Sequence, residues 1–435
     1  MMQKSKVDVI LGIQWGDEGK GKIVDVLASG YDIVARFQGG PNAGHTIKFG
    51  GMTHVLHTIP SGIFHEGKVN VIGNGVLIDA CIVCEEIENL RKAGIEARDR
   101  MVISDKANLI LPTHRLLDAA LEQKKGSKKI GSTVKGIGPA YTDKVARCGL
   151  RMGDVFASSF QGKYEALKAD HLLQLKNLGF DLEAARIDGK TLAEYEKAWM
   201  SGIEELRSFQ VLPTEIYLNR ALAEGKTVLA EGAQGSLLDV DFGSYPFVTS
   251  SSTVTAGVCV GLGVPPSAIG KVYGVFKAYC TRVGSGPFPT ELHDATGEEL
   301  RAKGHEFGAT TGRPRRTGWL DLPALRYTLM INGITDLVVM KADVMDEFDT
   351  VKVAVGYTLD GKKMEYYPMT EQAERVVPEY KELPGWKSSI GQARRYEELP
   401  AAFRSYLDFI CQETGSQIKV VSVGPDREET IIRGE

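Results

Sequence analysis

Gly16-Asp17-Glu18-Gly19-Lys20-Gly21-Lys22 has the Gly-x-x-x-x-Gly-Lys spacing of a loop that wraps backbone N–H groups around phosphate. It follows the apolar run Val7 to Ile13 and leads into a helix-like stretch, so a helix dipole and two lysines would add to the attraction for an anion. Two features depart from an ordinary phosphate loop. Ile23 stands where a Ser or Thr hydroxyl would bind Mg²⁺, and Asp17 puts a carboxylate inside the loop. An acid there has two uses: holding Mg²⁺, or taking a proton from a substrate lying beside a triphosphate.

Five further stretches carry chemistry-bearing residues. In "RFQGGPNAGHT", after the second apolar run, Asn42, Gly44, His45 and Thr46 are expected to face the first loop, where an imidazole could donate a proton or a hydrogen bond to developing oxygen charge. "VVMKADV" puts Lys341 and Asp343 at the end of a strand, as in the Asn/Thr-Lys-x-Asp element that reads guanine, with Met340 replacing the polar first residue. A fixed carboxylate can accept hydrogen bonds from guanine N1–H and the 2-amino group, a donor pair adenine lacks. "FGATTGRPRRTGWLD" interleaves Thr310 and Thr311 with Arg313, Arg315 and Arg316, which suits bidentate recognition of a carboxylate or phosphate and marks a site for a small dianion. "GSTVKGIGPAYTDKVARCG" and "EGAQGSLLDVDFGSYPFVTSS" offer Gly, Ser and Thr for a second anionic ligand.

These residues need a frame that gathers loops. Strands are predicted at Val7 to Ile13, Ile33 to Phe37, Val69 to Ile72, Met101 to Ser104, Val228 to Ala230, Val272 to Phe276, Leu337 to Met340 and Ile418 to Val423. Helix-like segments at Gly19 to Ala28, Ala80 to Ala93 and Pro112 to Lys124 alternate with them. The expected fold is therefore α/β, a large, mainly parallel sheet flanked by helices and similar to P-loop NTPases, with the ligand loops along one edge. A helical insertion is expected over about 160–225, and Asp360-Gly361 between alternating runs predicts an antiparallel hairpin over about 351–367. With no linker or low-complexity block, the chain 1–435 reads as one domain.

A hydrophobic content of 43% with 25% charged residues implies a buried core, and a formal charge of -4 provides no global attraction for nucleic acid or an anionic membrane. The N-terminus lacks the pattern of a signal peptide, and no apolar run approaches a membrane span. Of six cysteines only Cys81 and Cys84 are close, without a second ligand pair, which favours buried thiols in a reducing cytoplasm over zinc.

Taken in order, "QWGDEGKGKIVD", "GGPNAGHT", "KGIGPAYTDKVAR", "EGAQGSLLDVD", "YPFVTSS", "GPFPTEL", "GATTGRPRRTGWLD", "KADV" and "GPDREETI" resemble the adenylosuccinate synthetases from near Val7 to near Ile432. The resemblance implies a GTP-dependent ligase joining IMP and L-aspartate, with release of GDP and phosphate, through a 6-phosphoryl-IMP intermediate. It implies Asp17 as base, His45 as acid, and Lys20 and Gln234 as catalytic partners, with Mg²⁺ held by Asp17 and the Gly44 carbonyl.

By the same resemblance GTP would meet Gly16, Asp17, Glu18, Gly19, Lys20, Gly21, Lys22, Gly44, His45, Thr46, Arg315, Lys341, Ala342, Asp343, Ser422, Val423 and Gly424. IMP would meet Asp17, Glu18, Gly19, Lys20, Asn42, Ala43, Gly44, His45, Thr133, Gln234, Thr249 and Arg313. Arg147 is expected to come from the neighbouring subunit, which implies a homodimer. Aspartate would lie against Ala309, Thr310, Thr311, Gly312, Arg313, Pro314 and Arg315. The chain departs from the family's frequent residues at Ser132, Val134 and Lys135, where Thr, Gly and Arg are common, at Val423, where Thr is common, and at Pro314 within the arginine run.

Overall fold

The computed structural model describes residues 6–126, 131–308, 312, 314–364, 366–368 and 370–434. Ten strands form its main sheet: β1 (Val7–Gly12), β2 (Ile33–Arg36), β3 (Val69–Ile72), β4 (Met101–Ser104), β5 (Gln210–Leu212), β6 (Val228–Glu231), β7 (Ile269–Lys277), β8 (Asp336–Met340), β9 (Gln417–Ser422) and β10 (Thr430–Ile432). They lie in the order β10-β9-β8-β7-β1-β6-β2-β3-β4-β5. The pairings are parallel except for the antiparallel β9–β10 pair at one edge.

The central strands are apolar on both faces because both faces are covered. Ile10, Val34, Leu229, Val275 and Val338 pack with Ile23, Val24 and Ala28 of helix α1 (Lys20–Ala28), while Val9, Leu11, Ala35 and Ala230 point into the larger core on the other side. The carboxyl ends of β1, β6 and β2 lie side by side, so the loops after them share one edge, joined there by those after β7, β8 and β9.

All eight predicted strands are in this sheet. The two unexpected ones, β5 and β10, are three-residue edge strands, too short to show a period. β5 falls inside the expected helical insertion, whose helices are Phe160–Asn177, Leu192–Leu206 and Thr214–Ala223. The hairpin forms as expected between Thr350–Leu359 and Lys362–Met364, but Thr350–Leu359 also pairs with Val377–Pro384 and, in parallel, with Leu320–Asp321. No helix among the described residues is long and apolar enough to cross a membrane.

Candidate functional site

The loop after β1 is closed from inside by Glu18. Its buried carboxylate accepts N–H bonds from Gln14 (3.2 Å) and Gly16 (2.8 Å) and an ion pair from Lys20 (2.7 Å). Gly16, Asp17 and Gly19 all have positive φ (87°, 60° and 92°), a tight path that leaves Asp17 outside while Glu18 and Lys20 are buried. A Cβ on Gly19 would sit 2.9 Å from Met340, so the loop rests directly on the end of β8. At Gly16 and Gly19 it is the positive φ that calls for glycine, since the Met340 methyl could swing aside.

β2 and β6 supply the opposite wall. A Cβ on Gly21 would lie 2.7 Å from that of His45, so helix α1 and the His45–Phe49 strand pack in near contact at the loop. Strand alternation buries His45 and leaves Thr46 exposed. His45 Nδ1 lies 2.5 Å from Glu231 at the end of β6, and Glu231 also accepts from Ser61 N–H (2.8 Å) and Ser61 Oγ–H (2.7 Å). Burial holds the His45 imidazole below its ordinary range against the opposing pull of Glu231. A neutral ring donating Nδ1–H to an ionised Glu231 leaves Nε2 towards the cleft, and that atom is buried without a protein partner.

Two other expected contact residues show the same sign. Gln234, at φ 56°, has an unpartnered buried Nε2 while Gln38 Nε2 donates to its Oε1 (3.1 Å), and Asn42 has an unpartnered buried Oδ1. His57 fixes the neighbouring Ala43 carbonyl at 2.6 Å. Three orphaned polar atoms on adjoining loops describe a cleft made for a polar ligand. Asp17 and the Gly44 carbonyl, at the same edge, are hard oxygen donors of the kind Mg²⁺ takes, leaving other positions to phosphate and water.

The opposite end of the cleft is cationic. Asp17 Oδ2 accepts from Arg315 Nε at 2.7 Å, and Arg315 Nη1 donates to buried Glu306 at 2.7 Å. Lys341, at the start of the turn Ala342–Met345 after β8, also reaches Glu306 (3.0 Å). Asp343 is partly buried, and that burial raises its carboxyl pKa. Lys22 points away from the loop to the end of β9, donating to Ser422 Oγ (2.8 Å), Gly424 O (2.7 Å) and Glu429 O (2.9 Å), and burial brings it down to about 8. Helix α1 thus ties the segment around Val423 to the phosphate loop, reinforced by Arg427 on Asp25 (2.7 Å through each of two nitrogens).

Thr133 is exposed on the loop before helix Ile137–Ala146, and Arg147 is exposed just after that helix at φ 68°. Thr249 is half-buried, its N–H on Leu238 O at 2.9 Å. Ala309, Thr310, Thr311 and Arg313 lie outside the described residues; Gly312 has φ 63°, and Pro314 bridges Phe307. Arg316 is used differently from Arg315, being paired with Glu291 and with the Gly286 carbonyl (2.8 Å).

Glu231, Glu306 and Lys277 were not singled out in the sequence. Lys277 is a charge within the buried run "VYGVFKAY", which demands a buried partner, and "EGAQG" opens on an acid at a strand end. Those were the available signals. His114, Asp143 and His171 also come within metal-ligand reach of one another. There Leu111 N–H donates to His114 Nδ1 (2.9 Å), so Nε2 carries the proton given to Asp143 (2.8 Å), and the group is a hydrogen-bonded knot.

The chain matches the family model described as adenylosuccinate synthetase over residues 9–431. It is 56% identical to the adenylosuccinate synthetase of Bacteroides fragilis over 428 residues, 98% of this chain and 99% of the relative. Identity to that of Porphyromonas gingivalis is 58% over the same coverage. Among solved structures, fully ligated adenylosuccinate synthetase from Plasmodium falciparum superposes with a TM-score of 0.91 at 38% identity, covering 99% of this chain and 100% of the other. A cyanophage S-2L succinoaminodeoxyadenylate synthetase shares the fold at a TM-score of 0.61 and 18% identity.

Proposed function

Since the chain belongs to the adenylosuccinate synthetase family and is a GTP-dependent ligase converting IMP and L-aspartate to adenylosuccinate in AMP biosynthesis, we propose that the cleft at the carboxyl edge of β1, β6 and β2 is where this happens. The observation that carries the assignment is the set of orphaned atoms, His45 Nε2, Gln234 Nε2 and Asn42 Oδ1, beside the loop bearing Asp17. A purine nucleotide offers oxygens and ring N–H groups to satisfy them.

In this reading Asp17 takes the N1 proton of IMP, so that O6 becomes nucleophilic towards the γ-phosphate of GTP, and a 6-phosphoryl-IMP forms. His45, protonated at both ring nitrogens once the phosphates are bound, donates from Nε2 at the phosphoryl oxygens while Nδ1–H stays on Glu231, and Lys20 adds charge. The aspartate amino group then displaces phosphate at C6, its carboxylates held by the loop through Arg313 and Arg315. Asp343 reads guanine, with Lys341 alongside it and Ser422, Val423 and Gly424 near the base. Asp17 and Gly44 would hold Mg²⁺, which supplies charge neutralisation at the phosphates.

The reading includes a homodimer, in which Arg147 serves the partner's IMP site; its support is an exposed Arg147 with exposed Val145 and Val260 on segments linked through Asn74. It also includes a single catalytic domain, supported by a main core that runs from Val7 to Ile431, and a cytoplasmic setting, supported by six unpaired cysteines.

Substrate omission tests the chemistry. GTP, IMP, aspartate and Mg²⁺ together should yield GDP and an N6-substituted purine nucleotide, and leaving out any one should abolish the second product. GTP hydrolysis that ignores IMP and aspartate would point to a nucleotide switch instead.

A further inference from the structure

Glu306 has no role in the reaction as described, yet it is the most heavily engaged carboxylate at the site. It is fully buried. Its oxygens accept from Lys277 Nζ (3.0 Å to each), Tyr279 O–H (2.5 Å), Lys341 Nζ (3.0 Å) and Arg315 Nη1 (2.7 Å). Its carbonyl accepts the N–H of Arg315 at 2.9 Å, and the Arg315 carbonyl accepts from Arg301 Nε at 2.8 Å. One side chain therefore joins the ends of β7 and β8 to the stem of the 307–314 loop.

The arrangement is asymmetric in access rather than in charge. Lys277, Lys341 and Arg315 face Glu306 and Asp17, with Asp343 beside Lys341, so among the described residues the cations are matched by carboxylates before any ligand arrives. Arg315 is forked, with Nη1 on Glu306 and Nε on Asp17. The two carboxylates differ in access, since the Asp17 side chain is 36% exposed and that of Glu306 is 0% exposed. An incoming anion can compete for Arg315 at the Asp17 end and has no route to the Glu306 end.

We propose that Glu306 is a positioning residue that makes Arg315 exchange partners: it anchors one arm of the guanidinium, so that a ligand phosphate or carboxylate replaces Asp17 on the other and uncovers the base. The same carboxylate holds Lys341, so guanine-side and loop-side cations are set from one point. Asp17 is then masked in the empty enzyme and freed when an anion is bound, which ties proton abstraction to the presence of the phosphoryl donor or the amino acid. Burial would favour a neutral Glu306, but its three cationic neighbours outweigh that and hold the carboxyl well below its usual range, consistent with a permanently ionised anchor.

This inference rests on the reading of Asp17 as base and of Arg315 and Lys341 as ligand contacts. Steady-state kinetics on full-length Glu306→Gln and Glu306→Asp test it, with thermal unfolding and IMP binding measured alongside. Without the anchoring charge Arg315 can close on Asp17 through two nitrogens. For Glu306→Gln the KM values for GTP and aspartate should rise together by about tenfold or more and kcat should fall similarly, with IMP affinity within about twofold, and Glu306→Asp should recover part of both. A uniform rise in all three KM values with kcat intact, or no change, overturns the proposal. If Glu306→Gln does not fold, Arg315→Gln carries the test: it leaves the anchor but removes the exchanging arm, and should show the same GTP and aspartate selectivity; equal effects on IMP would overturn it. Asp17→Asn, run in parallel, separates the two ideas, because turnover in that variant removes the base role whatever Glu306 does.

Discussion

Val134 holds a conformation that a β-branched side chain seldom adopts, with φ 54° in the loop between helices Pro112–Lys124 and Ile137–Ala146. Its surroundings over-determine the turn. Its N–H donates to Ser132 Oγ (3.1 Å), its carbonyl accepts from Arg115 Nε (2.9 Å), and Asp118 takes both Ser132 Oγ–H (2.7 Å) and Gly136 N–H (2.9 Å). The left-handed conformation costs roughly 1–2 kcal/mol for a residue with a Cβ, and glycine gives back about 0.5–1 kcal/mol of that through its freer unfolded chain. Val134→Gly should therefore stabilise the protein by roughly 0.5–1 kcal/mol, seen as a higher urea midpoint; a lower midpoint would show the turn to be relaxed as it stands. At this scale the sequence announced residues whose type was odd for its place, such as Asp17 in a phosphate loop or His45 among glycines. It did not announce Glu231 or Glu306, because most of each acid's donors lie more than twenty residues away, Glu231 meeting His45 and Ser61, and Glu306 meeting Lys277, Tyr279 and Lys341, with Arg315 alone of those named lying nearer.

Among the elements, the buried strands and the helices with strong start signals were legible, since apolar runs and Pro112 or Asp79 at a helix start act locally. The edge strands and the purpose of the helical insertion were not, because both depend on what lies alongside. Asp188 of the insertion pairs with Arg115 (3.0 Å) and lies 3.6 Å from Lys135, while His171 of helix Phe160–Asn177 donates to Asp143 (2.8 Å). The insertion thus braces the loop with Thr133 and the helix leading to Arg147. His114, facing Asp143 and the His171 ring, is held below its usual pKa of 6.5 chiefly by burial. The unfolded chain then binds the His114 proton more readily than the folded one, so stability is lost as pH falls below about 6.5, by up to about 1.4 kcal/mol per pH unit for this group. His114→Gln can keep an acceptor for Leu111 N–H and a donor for Asp143 without titrating, so urea midpoints between pH 7 and 5.5 should fall less steeply in the variant. Parallel slopes would mean His114 titrates as it does unfolded.

For the molecule as a whole, the parallel sheet explains why residues far apart in the chain meet: Asp17, Asn42, His45, Gln234, Lys341 and Ser422 all lie at or beyond the carboxyl ends of strands in one sheet. Thr133 and Arg147 do not fit that rule. They stand on a helix outside the sheet, and Arg147 is exposed, although every other arginine proposed to touch substrate, where described, is held by a carboxylate. Close by, Val145 is 78% exposed and Val260 is 75% exposed, and their segments are linked through Asn74, which accepts from Lys144 and donates to the Val260 carbonyl (2.9 Å). Exposed valines beside a cation that has no partner among the described residues suit a twofold contact, in which each copy would hand Arg147 to the other's cleft. Such sharing makes a quantitative expectation. Arg147→Leu and Asp17→Asn should each be nearly inactive alone, since every dimer of either variant lacks one group at both sites. Mixed in equal amounts and allowed to exchange, half the dimers become hybrids. In each hybrid one cleft has lost both groups and the other has lost neither, so activity should return to roughly one quarter of the wild-type value per chain. If the mixture stays as inactive as its parents while subunit exchange is demonstrated by a mass or fluorescence label, Arg147 serves its own chain or none, and the site is complete within one subunit.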